Sequence, residues 1–223
     1  MLFAGLFLIL LLTLFLLSRT LHKELGRVLY RATRSKKWTV YILSFLFFPG
    51  TFIHELAHYL MSVILFVPTG KMTLIPKVDG DHVTLGSVEI GKTDPLRRLL
   101  IGAAPFLIGT TLLLLTLLLA ERFTLWQTFG YLVLVVYILF EIGNTMFSSR
   151  KDMEGAITVL LVFLAVGVTL YLLGFQLYDG LQALFNDKGL TNTFQKGSLY
   201  LLIPLAINIT TIFILRLTHK IRR

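Results

Sequence analysis

Residues 51–58 read Thr-Phe-Ile-His-Glu-Leu-Ala-His, and they contain the motif His54-Glu55-x-x-His58. Histidines four residues apart lie on the same face of an α-helix, so both imidazoles can bind one zinc ion. Glu55 directly follows the first histidine and can accept a proton from a metal-bound water. The motif therefore predicts a zinc site on a helix, with Glu55 as the catalytic base.

Apolar sequence flanks the motif on both sides, at residues 41–48 and 59–66. Charged residues at membrane depth cost roughly 2.5–3.5 kcal/mol each on insertion scales, and they are functional by default. The setting therefore favours hydrolysis in or at the edge of a lipid bilayer. The alternative is that the three polar residues only satisfy one another in a helix bundle. That arrangement would bury two imidazoles and a carboxylate without a metal, which is costly.

The whole chain shares this apolar character, since 56% of its 223 residues are hydrophobic and its mean hydropathy is +0.80. Soluble domains are nearer to about 45–50% apolar. We expect one membrane domain over residues 1–223. The formal net charge of +9 indicates Lys and Arg that flank membrane helices and meet lipid headgroups, and we expect no nucleic-acid partner. Without cysteine, any metal ligand must be His, Asp or Glu.

Six apolar segments predict an all-α polytopic membrane protein with about six transmembrane helices. The segments are residues 2–17, 38–67, 96–120, 126–146, 156–175 and 199–215. We expect the basic segment 18–37 on the membrane surface, and Pro49-Gly50 predicts a kink or break before a motif helix at about 51–66. Between the second and third segments, residues 71–78 and 82–90 predict a small β-hairpin around Asp79-Gly80-Asp81.

The third zinc ligand is not fixed by the motif. A catalytic zinc usually has three protein ligands and an open position for water. The hairpin offers His82, Asp79, Asp81 and Glu89. The end of the fourth apolar segment and the residues after it offer Glu141, Asp152 and Glu154. We favour the second group because it lies at the end of another membrane helix.

These features resemble the site-2 protease family of intramembrane zinc metalloproteases. In that family a later helix carries an Asn, and an Asp eight residues after it binds the zinc. Asn144 and Asp152 have that spacing here. Residues 102–105, Gly-Ala-Ala-Pro, are similar to the small-residue helix opening that follows the family's hairpin. The order of elements fits across a core of about residues 38–155, with peripheral helices in 1–37 and 156–223.

The resemblance implies Asp152 as the third ligand, and it implies that Asn144 donates a hydrogen bond to the substrate carbonyl or the oxyanion. An interhelical hydrogen bond is the alternative role for Asn144. The chain departs from the family in lacking prolines between the Asn and the Asp and an Asp-Gly pair at the ligand. Because Glu154 directly precedes Gly155, it competes with Asp152 as the ligand.

The expected function is therefore a zinc-dependent endopeptidase that cuts in or near a transmembrane segment of another membrane protein. Two other functions share the sequence features. One is a non-catalytic membrane scaffold or chaperone of the same fold, and the other is a metal transporter. The intact motif favours the protease, because neither alternative needs a base between the ligand histidines.

Overall fold

The computed structural model describes residues 2–79, 82–147, 149, 152–153, 156–174 and 187–221. This part of the chain is mainly α-helical with one small β-hairpin, as predicted. The helices are α1 (Leu2–Thr33), α2 (Lys36–Leu46), α3 (Phe48–Ile64), α4 (Pro95–Arg122), α5 (Phe129–Thr145), α6 (Ala156–Leu172) and α7 (Lys188–Ile221). The strands are β1 (Thr69–Thr73), β2 (Lys77–Asp79), β3 (His82–Thr84) and β4 (Ser87–Ile90).

Three helices in the described ranges, α1, α4 and α7, are long and apolar enough to cross a membrane, and the bent pair α2–α3 makes up to four. Helices α5 and α6 have 17 residues each, whereas a span needs about 20. The described structure thus supports fewer full-length spans than the six predicted. Residues 18–33, which we expected as a separate surface segment, continue α1 because Leu, Arg, Lys and Glu are good helix formers.

The apolar core lies between α1, α4, α5 and α7, and each of these helices contributes one face. Its buried members are Phe7, Leu11, Leu14, Leu113, Leu117, Ala120, Val135, Leu139, Ile142, Met146, Leu201 and Leu205. In α1 the spacing of three and four residues is that of one helical stripe. Many large apolar side chains elsewhere on the helices are exposed, which is typical of a surface that contacts lipid or another protein.

Helices α2 and α3 meet at an angle of 75°. The bend is at Phe47, whose φ of −97° and ψ of 16° leave the helical region. Pro49 lies in the first turn of α3, where its missing N–H removes no helical hydrogen bond. The Phe47 side chain is fully buried, with its ring centroid 4.3 Å from that of His22 and 5.7 Å from that of Phe140. A break before the motif helix is therefore present, but it lies at Phe47, two residues before the expected Pro49-Gly50, and α3 begins at Phe48 instead of about residue 51 because Pro49 is accommodated in its first turn.

The hairpin joins α3 to α4. Strand β1 pairs antiparallel with β4, and β2 pairs antiparallel with β3, so one long hairpin contains two short ladders. The predicted turn residues Gly80 and Asp81 lie outside the described residues. Beyond the hairpin, Asp94 caps α4 by accepting a hydrogen bond from the Arg97 amide at 3.0 Å. This hydrogen bond holds the pKa of the exposed Asp94 carboxyl below its ordinary value.

Candidate metal centre

The side chains of His54, His58 and Asp152 meet, and their ligand atoms all lie within 4.8 Å of one another. The two Nε2 atoms are 3.2 Å apart. The carboxylate oxygens of Asp152 lie 3.8 Å from Nε2 of His54 and 3.5 Å from Nε2 of His58. A tetrahedral site with bonds of about 2.0–2.1 Å places its ligand atoms about 3.3–3.4 Å apart. The three donors are thus spaced to hold one small metal ion.

Hydrogen bonds on the far side of each imidazole orient the two histidines. Nδ1 of His54 is 2.6 Å from the carbonyl oxygen of Thr145, and Nδ1 of His58 is 2.8 Å from that of Ile101. A carbonyl oxygen only accepts, so each Nδ1 donates a hydrogen bond, and in the neutral imidazole each Nε2 then keeps a lone pair. Two lone pairs at 3.2 Å repel unless a cation lies between them. Metal-binding histidines are commonly fixed in this way, so the donor set fits a metal.

The last turn of α5 positions the motif helix. Oε2 of Glu141 accepts a hydrogen bond from the Gly50 amide at 3.0 Å, which places a carboxylate at the start of α3. Gly50 is required at this contact, because a Cβ there would lie 2.9 Å from the Glu141 carbonyl oxygen and overlap with Thr145. Since Thr145 also binds His54, α5 fixes both the start of α3 and its first ligand. Glu141 was a candidate zinc ligand in the sequence analysis, but in the structure its carboxylate accepts a hydrogen bond from the start of α3.

Asp152 reaches the histidines from a tight turn after α5. Its carboxylate accepts a hydrogen bond from the Ser149 amide at 2.6 Å, and its own amide donates to the Ser149 hydroxyl at 3.2 Å. Burial raises the pKa of the Asp152 carboxyl, but the imidazoles of His54 and His58 and the hydrogen bond with Ser149 outweigh it and hold the pKa well below its usual range. Asp152 is therefore ionised at neutral pH, as a metal ligand must be. Glu154, the competing ligand, lies outside the described residues.

Gly102 in α4 allows the turn at Asp152 to approach. Its Cα faces the Asp152 backbone, and a Cβ at this position would overlap with the Asp152 carbonyl oxygen. The sequence signal for this contact was the small-residue stretch at 102–105. The carbonyl of Ile101, one residue earlier, orients His58. One turn of α4 therefore supports two of the three ligands.

Glu55 lies beside the three ligands in one cavity of about 970 Å³. Glu55 is buried, with 7% of the residue exposed. The hairpin covers it closely at Gly86, where an added Cβ would lie 2.9 Å from Cγ of Glu55. Strand β4 and one face of α1 form other parts of the cavity wall. Ligand cavities typically have volumes of about 300–1,000 Å³, so this one has room for several residues of an extended peptide.

Asn144 also borders the cavity, but its amide hydrogens are already used inside the bundle. Its Nδ2 donates to the Phe140 carbonyl at 2.8 Å and to Oδ1 of Asn208 at 2.9 Å. Asn208 returns a hydrogen bond to Oδ1 of Asn144 at 2.9 Å. The interhelical role weighed from the sequence is therefore observed, linking α5 to α7, while a role toward substrate stays a prediction. No local sequence pattern indicated Asn208 as the partner.

We expect Asn208→Ala to lower the free energy of unfolding by about 1–2 kcal/mol, because the buried Asn144 amide loses its partner. Asn144→Ala should have a similar effect, and the double variant should lose less than the sum of the two. Denaturant unfolding in detergent micelles measures all three. Strictly additive losses would contradict the coupling. If Asn144 also binds substrate, Asn144→Ala will reduce peptide cleavage far more than Asn208→Ala.

The site thus combines three side chains that can hold a metal ion, a buried carboxylate and a cavity bordered by a strand. Two histidines and a carboxylate leave a fourth tetrahedral position for water or substrate. A carboxylate beside that position can accept a proton. This arrangement can support metal-assisted hydrolysis. No protein-family model, no curated protein and no solved structure matches this chain.

Proposed function

We propose that this chain is a zinc-dependent intramembrane metalloendopeptidase, similar to the site-2 protease family, that hydrolyses a peptide bond in or near a transmembrane segment of another protein. The proposal depends on one observation, the convergence of His54 and His58 from α3 with Asp152 from the turn after α5. Zinc is the metal we favour, because a motif of two histidines four apart with an adjacent glutamate is typical of zinc hydrolases.

The proposed setting is a lipid bilayer that the chain crosses several times. Helices α1, α4 and α7 have the length and hydropathy of spans, and the bent pair α2–α3 adds a fourth crossing. The shorter helices α5 and α6 complete the six, since a short span is accommodated by local thinning of the bilayer. The ionisable side chains of His54, His58 and Asp152 then face the interior of the helix bundle, as ionisable side chains do in membrane proteins.

When bound, zinc would polarise the scissile carbonyl and activate a water. The residues of this chain transfer the proton and hold the ligand atoms in place. Glu55 accepts a proton from the attacking water and later donates it to the leaving amine. His54 and His58 are held by backbone carbonyls, so their Nε2 atoms need no reorientation. Asp152 adds a negative charge to the ligand set.

In the proposed reaction, strand β4 pairs with the backbone of the unwound substrate. A transmembrane helix satisfies its backbone internally, and a protease must unwind it before cutting. The exposed amides and carbonyls of the unwound segment then need partners. Residues Ser87 to Ile90 of β4 border the cavity, where an extended segment can pair with a strand edge.

The test uses purified protein in detergent and a labelled transmembrane peptide. We expect cleavage to stop with a zinc chelator and to return when zinc is added back. His54→Ala should lose both bound zinc and cleavage, because one of three ligands is gone. His22→Ala removes another histidine of the same cavity and should retain zinc. Metal analysis and peptide mapping are the measurements.

The same experiment separates the alternatives. A scaffold or chaperone would bind the peptide and leave it intact at every zinc concentration. A transporter would move zinc across proteoliposomes without cutting peptide. Either result would replace the proposal. The buried Glu55 beside the ligands favours hydrolysis, because the two alternatives have no use for a proton acceptor there.

A further inference from the structure

One face of α1 borders the cavity that contains the metal ligands. Its members follow a spacing of three and four residues, which is one side of a helix. They are Phe15, Ser18, Arg19, His22 and Lys23. The side chains of Arg19 and Lys23 are exposed, and Arg98 of α4 borders the same cavity. The cavity therefore has three cationic side chains besides the metal centre.

The acids that border the cavity make no ion pair with Arg19 or Lys23 in the described structure. Glu55 and Asp152 belong to the candidate metal centre. The third acid, Glu89, has its carboxylate turned to β1, since Oε2 lies 3.4 Å from the Lys71 amide and packs against Gly70. The α1 side of the cavity wall therefore carries two positive charges, those of Arg19 and Lys23.

Arg19 and Lys23 make no ion pair with any residue that the structure describes. The guanidinium of Arg19 lies over the Phe15 ring, 4.3 Å from its centroid. The neighbouring acid on α1, Glu24, is engaged elsewhere, with Arg27 at 3.1 Å and Arg216 at 3.3 Å. Two cations on one helical face are thus available to an incoming anionic group, while the acid next to them is already paired.

We propose that Arg19 and Lys23 select substrates with acidic residues beside the scissile bond. The inference rests on the proposed proteolysis and names its substrate class. Complementary charge steers encounter and fixes the register of a bound chain. Two contacts of this partly exposed kind together give about a tenfold preference. Because the contacts are partly exposed, the preference weakens as ionic strength rises.

The experiment compares three transmembrane peptides that differ only in the residues flanking the cleavage site, which are Glu, Gln or Lys. Wild-type protein should cut the Glu peptide with kcat/KM about tenfold above the Lys peptide. Arg19→Glu/Lys23→Glu should abolish or invert that ratio. The control Arg122→Glu/Lys196→Glu makes the same charge reversal at exposed positions outside the cavity and should keep the ratio.

Binding separates this inference from the proposed function. We expect the Glu55→Gln protein to bind labelled peptides without cutting them, so fluorescence anisotropy should give a similar ratio of Kd values for the Glu and Lys peptides. Preferential binding of the Glu peptide with no cleavage by wild type would reject the proteolysis and retain the charge selection.

Equal affinity for the Glu and Lys peptides overturns the inference. The inference is also overturned if anionic lipid vesicles abolish the preference for the Glu peptide in both the wild type and the control variant. In that case Arg19 and Lys23 would bind lipid headgroups and not the substrate. If the double reversal does not fold, Lys23→Gln should still reduce the ratio about threefold.

Discussion

Glu55→Gln should lower kcat for peptide cleavage by at least about 10²–10⁴-fold while leaving bound zinc unchanged. The glutamine has nearly the shape of the glutamate, so the buried packing against Gly86 is kept. Its amide cannot accept a proton from water at neutral pH. The loss should appear in kcat and not in the affinity for peptide, because the proton moves only in the transition state. Single-turnover cleavage and metal analysis on the same preparation measure both quantities.

Glu121→Gln provides the matched control. It makes the same chemical change at an exposed position near the end of α4, away from the cavity residues. This variant should cut peptide at the wild-type rate. Full activity of Glu55→Gln would eliminate Glu55 as the base. Loss of zinc from Glu55→Gln would show that the residue supports the metal and would leave the base unassigned.

Gly102→Val should weaken zinc binding by about 10–100-fold, the usual effect of disturbing groups that support metal ligands. Any Cβ at this position overlaps with the Asp152 carbonyl oxygen. The turn must then move away from α4, and the Asp152 carboxylate moves with it. The two histidines remain on α3, so residual zinc binding through them is expected. Competition with a chromophoric chelator measures the affinity.

The control for this substitution is Gly167→Val in α6. No other part of the described structure lies within 4 Å of the Cβ that would be added there. Both changes replace a helical glycine with the same β-branched residue, so their intrinsic effect on helix stability is matched. Gly167→Val should bind zinc normally. An unchanged zinc affinity in Gly102→Val would mean that Asp152 is not held by this contact.

The local part of the site could be predicted from sequence. The spacing of His54 and His58 fixes them on one helical face, and the apolar segments predict a mainly helical chain. The ends of the helices were harder to predict, because hydropathy shows where the apolar stretch ends and not where the hydrogen-bonded helix ends. Helix α1 continues through polar helix formers to Thr33, and α7 already begins at Lys188.

The supporting contacts could not be predicted in the same way. The carbonyls of Ile101 and Thr145 orient the histidines, and a backbone carbonyl has no side-chain signature. The pairing of Asn144 with Asn208 depends on how α5 meets α7, which no local pattern encodes. Asp152 was one of three candidate ligands at the end of the fourth apolar segment, and only the resemblance in spacing singled it out, since the charged residues around it are equally typical of a solvated helix end.

The link between α1 and α7 has a consequence for any attempt to shorten the protein. Their apolar faces complete the core, Arg216 reaches Glu24, and Asn208 holds the same turn of α5 that caps α3. A fragment limited to residues 38–155 keeps all three candidate metal ligands but loses α1 and α7, the two helices that pack against α5. We therefore expect that a fragment needs both outer helices to keep the site intact, although neither helix carries a candidate metal ligand.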